Sequence, residues 1–141
     1  MTYNLIASTA IVPTSVTVGP FCVIGGNVVL GENVVLGVGC VLGDGSRVGA
    51  GSELGNYVSV GEGAEIGART RIGDHTTLYP QVELGEDGFI GSNAAIGRLP
   101  KAAPTSTVKA QADLPPLRMG NGFTVGCSAV LYAGTSYADA A

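Results

Sequence analysis

The sequence predicts an all-β protein, a parallel β-helix built from 18-residue triangular coils, and three observations carry that prediction. The first is a period of six. Stepping by six from Ile6 meets Val12, Val18, Ile24, Leu30, Leu36, Leu42, Val48, Leu54, Val60, Ile66, Ile72, Leu78, Leu84, Ile90 and Ile96, sixteen Ile, Leu or Val in succession. Those types fill only 35 of 141 positions, so chance would give the run with odds on the order of 10⁻¹⁰. The second observation is that Gly follows the aliphatic in thirteen of the sixteen hexads, with Ala7, Pro13 and Tyr79 as the exceptions. The third is that no large residue stands two places before the aliphatic anywhere from Ala10 to Ala94.

Each element follows from that period. A small residue, any residue and an aliphatic make a three-residue strand whose first and third side chains share one face. The next three positions form a turn. Its third place holds Asn27, Asn33, Gly39, Gly45, Gly51, Gly63 and Asn93, types that tolerate positive φ. Three strand-and-turn units close one coil. Coils then stack by parallel pairing at about 4.8 Å, with the aliphatics filling the prism.

One insertion interrupts the array. Residues 98–118, "RLPKAAPTSTVKAQADLPPLR", contain no Gly and four of the seven prolines. The rhythm resumes at Met119-Gly120, Val125-Gly126, Leu131 and Tyr137. The chain therefore reads as one domain, with coils at about 4–97 and 119–137 and an extended loop at about 98–118.

Composition removes several classes of function. Charged residues make up 13% and the net charge is −4, which argues against a nucleic-acid binder or a basic membrane-surface protein. No apolar run approaches the roughly 18 residues of a membrane span, and "MTYNLIASTA" lacks the basic start of a signal peptide, so the expected location is the cytoplasm. Cys22, Cys40 and Cys127 lack C-x-x-C spacing, and there is a single histidine, so neither a disulfide framework nor a metal site is expected. Cys22 and Cys40, 18 apart in the inward small-residue slot, read as stacked core side chains.

The middle residue of each strand points outward, and stepping by 18 reads one face. The first face, Leu5, Val23, Val41, Ser59, Thr77 and Ala95, has no charge. It is either a contact with another subunit or an exposed strand surface. The second and third faces place Arg47 beside Glu65 and Glu53 beside Arg71, cross-strand pairs suited to solvated surfaces.

Two features can carry chemistry. His75, the only histidine, takes the third turn position at the corner just before the uncharged face, in a column with Phe21, Gly39, Tyr57 and Asn93. An imidazole there can serve as a general base near neutral pH. It can equally be a turn residue, since histidine is enriched at positive φ. Tyr57 and Asn93 are candidates to line the same pocket. The second feature is the loop, where Arg98, Lys101, Lys109 and Arg118 oppose Asp113 alone, a net of +3 against −7 for the remainder. Such a basic arm can hold phosphate oxygens, or can simply be a solvated, proline-stiffened connection to a neighbouring subunit. Tyr79-Pro80, where Gly is missing from a corner, reads as a local turn variant, and Leu131-Tyr132 echoes it.

The hexad pattern resembles the hexapeptide-repeat proteins, whose fold is a left-handed parallel β-helix. Within that superfamily "LYPQVELGEDGFIGSNAAIGRLPK", "LPPLRMGNGFTVG" and "LYAGT" look like bacterial acyl- and acetyltransferases acting on surface-polysaccharide or nucleotide sugars. The resemblance implies a homotrimer, a coenzyme A or acyl carrier protein thioester as donor with no tightly bound cofactor, and a sugar hydroxyl or amine as acceptor. It also implies a histidine as general base, a role that only His75 can fill. The terminal hexads "VGCSAVLYAGTSYADAA" lack a capping helix, and such enzymes usually continue through further coils. A truncated form, or a non-catalytic β-helical scaffold, is therefore the alternative reading.

Overall fold

The computed structural model describes residues 3–105 and 114–140. Three parallel sheets form the walls of a prism, and every pairing joins strands one coil apart. The first wall runs from Leu5–Ile6 through Val23–Ile24, Val41–Leu42, Ser59–Val60, Thr77–Leu78 and Ala95–Arg98 to Val130–Tyr132. The second starts at Val29–Leu30 and passes through Arg47–Val48, Glu65–Ile66, Glu83–Leu84 and Arg118–Met119 to Ser136–Tyr137. The third begins at Thr17–Val18 and steps by 18 in the register Val35↔Glu53, Glu53↔Arg71, Arg71↔Phe89, ending on Thr124–Val125, which pairs with Phe89–Ile90 across the insertion. The chain is thus a parallel β-helix of 18-residue coils, as the hexads predict.

The core is the set of positions named by the period. From Ile24 to Ile96 every sixth residue is at most 5% exposed, and each such side chain stabilises the fold by roughly 1.5–3 kcal/mol relative to an exposed one. Ile6 belongs to the same series yet is 46% exposed, because no coil lies beyond it among the described residues. The small inward positions include four buried hydroxyls. Ser52, Thr70 and Thr76 donate to the carbonyls of Gly67, Gly85 and Gly91 at 2.7, 3.0 and 2.9 Å. The Sγ atoms of Cys22 and Cys40 occupy the same slot and point at the Gly37 and Gly55 carbonyls. Ser46 has the slot but not the bond, and its buried Oγ finds no partner among the described residues.

Two different demands shape the corners. The first turn position needs Gly for space: a Cβ on Gly67 would stand 2.3 Å from the backbone of Gly85 in the next coil. The third position needs a left-handed backbone, and ten non-glycine residues among those described adopt it, including Phe21, Tyr57, His75 and Asn93 at φ 62, 56, 60 and 59°. Rigid pairing to the adjacent coil holds even aromatic residues in that region. The N–H of Tyr57 donates to the Val38 carbonyl at 2.7 Å, and that of His75 to the Asn56 carbonyl at 2.9 Å.

The excursion leaves the first wall by not turning. The strand Ala95–Arg98 runs straight through its corner, with Gly97 at φ 89°, and its register slips against Val130–Tyr132. Arg98 and Arg118 are both strand residues, so the segment between them is 99–117. Its described ends lie over Tyr79 and Pro80, enclosing a cavity of about 220 Å³ lined also by Gln81, Gly97, Leu99, Leu114, Pro116 and Ala133. That departure explains the missing glycine at Tyr79: the chain above has left the wall, and the side chain fills the space.

Surface charge follows the faces only in part. Glu53 and Arg71 form an ion pair at 3.0 Å. Arg47 and Glu65 are in register, but no ion pair joins them among the described residues. Instead Arg118 reaches Glu83 at 3.2 Å, and Arg69 at a corner clamps Asp87 and Glu86, holding the Asp87 carboxyl below its ordinary range. No helix among the described residues is long and apolar enough to cross a membrane.

Candidate active site

The corner before the first wall carries a column of residues one coil apart: Tyr3, Phe21, Gly39, Tyr57, His75 and Asn93. His75 is exposed, and its imidazole stacks on the ring of Tyr57, with centroids 5.3 Å apart and planes 14° from parallel. Tyr3 and Phe21 make a second stack at 5.6 Å. Asn93 follows directly above, its N–H bonded to the Asp74 carbonyl at 2.9 Å. His75, Tyr57 and Asn93 therefore share one edge of the prism, as the 18-residue spacing predicts.

Asp74 is next to His75 in sequence but is engaged elsewhere. Its Oδ1 accepts the backbone N–H of Asn56 at 2.8 Å, one of a family of such bonds in which Asp44, Asn56, Asn121 and Asp139 also serve. Among the described residues no hydrogen bond reaches either ring nitrogen of His75, so the imidazole edge is open to an incoming group.

The first wall lies beside this corner. Leu5, Val23 and Val41 are exposed along it, Ser59, Thr77 and Ala95 are half-buried, and Val130 and Tyr132 continue it as exposed residues. The uncharged, largely apolar strip thus runs the length of the molecule. The loop leaves from the opposite edge of that wall, so within one chain His75 and the basic residues stand on opposite sides of it. Arg98 and Lys101 are exposed there. Arg118 faces outward from the second wall with Glu83 as partner. Lys109 lies outside the described residues.

The cysteines offer no nucleophile in the core. Cys22 and Cys40 are at most 1% exposed, and burial pushes the Cys40 thiol up to about 11. Cys127 is exposed and unpaired in a disulfide sense. What sequence reasoning missed is the partnership within the column. The signal was present: Tyr57 stands directly above Gly39 and directly below His75 in steps of 18.

Comparison with known proteins agrees with this architecture. The chain matches the model for the bacterial transferase hexapeptide (six repeats) over residues 9–44. No curated protein sequence matches it. A crystal structure of a hexapeptide transferase family protein from Anaplasma phagocytophilum aligns with a TM-score of 0.64 at 20% identity, over 96% of this chain and 70% of that one. A mutant of GDP-perosamine N-acetyl transferase from Caulobacter crescentus, in complex with CoA and GDP-perosamine, aligns with a TM-score of 0.55 at 20% identity over 92% of this chain. The chain spans about half of that transferase, 52% of its length. At these identities the likeness is one of fold. The resemblance to hexapeptide-repeat proteins thus holds in the repeat over residues 9–44 and in the fold.

Proposed function

We propose that the protein is an acyltransferase that moves an acetyl or longer acyl group from a coenzyme A or acyl carrier protein thioester to a hydroxyl or amine of a sugar or nucleotide sugar. The observation that carries this reading is the placement of an exposed imidazole, its edge open, beside an uncharged wall. In the reaction the acceptor oxygen or nitrogen attacks the thioester carbonyl while His75 takes its proton. The carbon–sulfur bond then breaks, and the departing sulfur takes up the proton from the imidazolium.

The reading includes a homotrimer packed through the first wall, Leu5, Val23, Val41, Ser59, Thr77 and Ala95. Such packing would bring one subunit's His75 corner toward another's loop edge, which a single chain keeps apart. Arg98 and Lys101, with Lys109 and Arg118, would then meet donor or nucleotide phosphates; Arg118 must first release Glu83. The bound CoA and GDP-perosamine of the Caulobacter enzyme support this choice of substrates. The scaffold alternative draws on a specific observation too: His75 at φ 60° does what every residue at that turn position does.

The test is a calorimetric titration of acetyl-CoA into the full chain at low and moderate salt, followed by acetyl transfer to an amino-sugar nucleotide. Micromolar binding that weakens with salt, and transfer lost in His75→Asn without loss of fold, is the expected result. Asn suits the same corner, so unchanged transfer in that variant would return the chain to the scaffold reading.

A further inference from the structure

Resting on the reading of His75 as the base, we propose that Tyr57 is a positioning residue for its imidazole and that Gly39 is the seat which makes this possible. The two rings belong to residues 18 apart, both left-handed at φ 56 and 60° and both pinned through their backbone N–H groups to the coil below. Their Cα–Cβ directions are therefore nearly parallel, and the rings come to rest face to face at 5.3 Å and 14°.

The Tyr57 ring is itself located by the residue beneath it. A Cβ on Gly39 would stand 2.5 Å from both Cδ1 and Cε1 of Tyr57, so the ring lies directly against the glycine backbone. Any side chain at position 39 would lift it. Gly39, Tyr57 and His75 thus form a three-layer stack on the prism edge, with the floor supplied by rigid backbone. Stacking engages the face of the imidazole and leaves its two nitrogens at the perimeter, where a proton is exchanged. It replaces the orientation that a carboxylate bonded to a ring nitrogen would supply, a role from which Asp74 is withdrawn by its bond to Asn56. An exposed side chain without such a partner would sample several rotamers, and loose positioning of a catalytic group costs up to about 100-fold in rate.

The sole histidine makes the test direct. In proton NMR of the full-length chain, the His75 ring signals should lie upfield in the wild type and in Tyr57→Phe, through the ring current of the stacked partner. They should move to the position of a free imidazole in Tyr57→Leu. Acetyl transfer should follow, with kcat falling about 10- to 100-fold in Tyr57→Leu, KM for acetyl-CoA unchanged, and Tyr57→Phe retaining activity. Ring signals that do not move in Tyr57→Leu overturn the stack. Loss of transfer in His75→Asn with full kcat in Tyr57→Leu overturns the positioning role alone. Full activity in His75→Asn, or an inactive wild type, removes the base and this proposal together. Tyr57 is exposed, so its variants should fold, which circular dichroism checks.

Discussion

Asp74 Oδ1 accepts the backbone N–H of Asn56, 2.8 Å away in the coil below, and so braces two turns together. Asp74→Ala should then cost about 1 kcal/mol of stability, the usual worth of such a bond. Asp74→Asn, which keeps the acceptor, should be near neutral. On the proposed acyltransferase reading, neither change should alter transfer per folded molecule. Urea denaturation read beside a transfer assay checks both halves.

The buried hydroxyls make a second comparison. Ser52 Oγ donates to the Gly67 carbonyl and accepts the Thr70 N–H at 3.1 Å, whereas Ser46 Oγ has no partner among the described residues. Ser52→Ala should destabilise by about 1–3 kcal/mol, because it takes the partner from the buried Thr70 N–H and from the part-buried Gly67 carbonyl. Ser46→Ala should be neutral or stabilising. Equal losses in thermal denaturation of the two variants would contradict the bonding pattern.

Glycines that look alike in the repeat should respond differently. Gly67→Ala forces a Cβ to within 2.3 Å of the Gly85 backbone and should cost about 1–3 kcal/mol. A Cβ on Gly126 meets nothing within 4 Å, and Gly126→Ala should stay within about 0.5 kcal/mol of the parent. Denaturant midpoints measured at equal slope decide between them.

The Cys40 thiol, fully buried, is raised by desolvation from 9.0 to about 11. Below pH 9 both folded and unfolded chains hold that proton, and its effect on stability is nil. Between about 9 and 11 only the unfolded chain releases it, so stability falls as pH rises, and the loss levels off above the folded value. Cys40→Ala should be less stable at pH 7 through its cavity, yet should lose less between pH 8 and 11 than the parent. At neutral pH a thiol reagent should find Cys127 in the native protein and the other two only after unfolding.

The fold was legible because one side chain in six has a single task. From Ile24 to Ile96 the aliphatic series is the core without exception, and the corner positions needing positive φ were readable where Asn or Gly filled them. The outward charges were less so. Glu53 with Arg71 formed the pair expected of them, but Arg47 with Glu65 did not, since register sets a neighbour and leaves long side chains free to choose. The candidate site was legible as a column and not as an arrangement. Tyr57 and His75 could be placed on one edge by counting eighteen, but their stacking depends on ring geometry over a backbone floor at Gly39, which spacing does not encode. Asp74 stands next to His75 in sequence, but its carboxylate is taken by the Asn56 N–H of the adjacent turn.

The interrupted coil bears on how the chain assembles. Elsewhere each strand finds its partner 18 residues on, so closing one more coil always asks for the same short search. Across the excursion the partners are 35 residues apart, as in Phe89↔Thr124 and Ala95↔Val130. Closure entropy grows only with the logarithm of length, so this near doubling adds only about 0.6 kcal/mol. A chain that grows by nearest-neighbour stacking can carry a long insertion at one seam with little penalty to equilibrium.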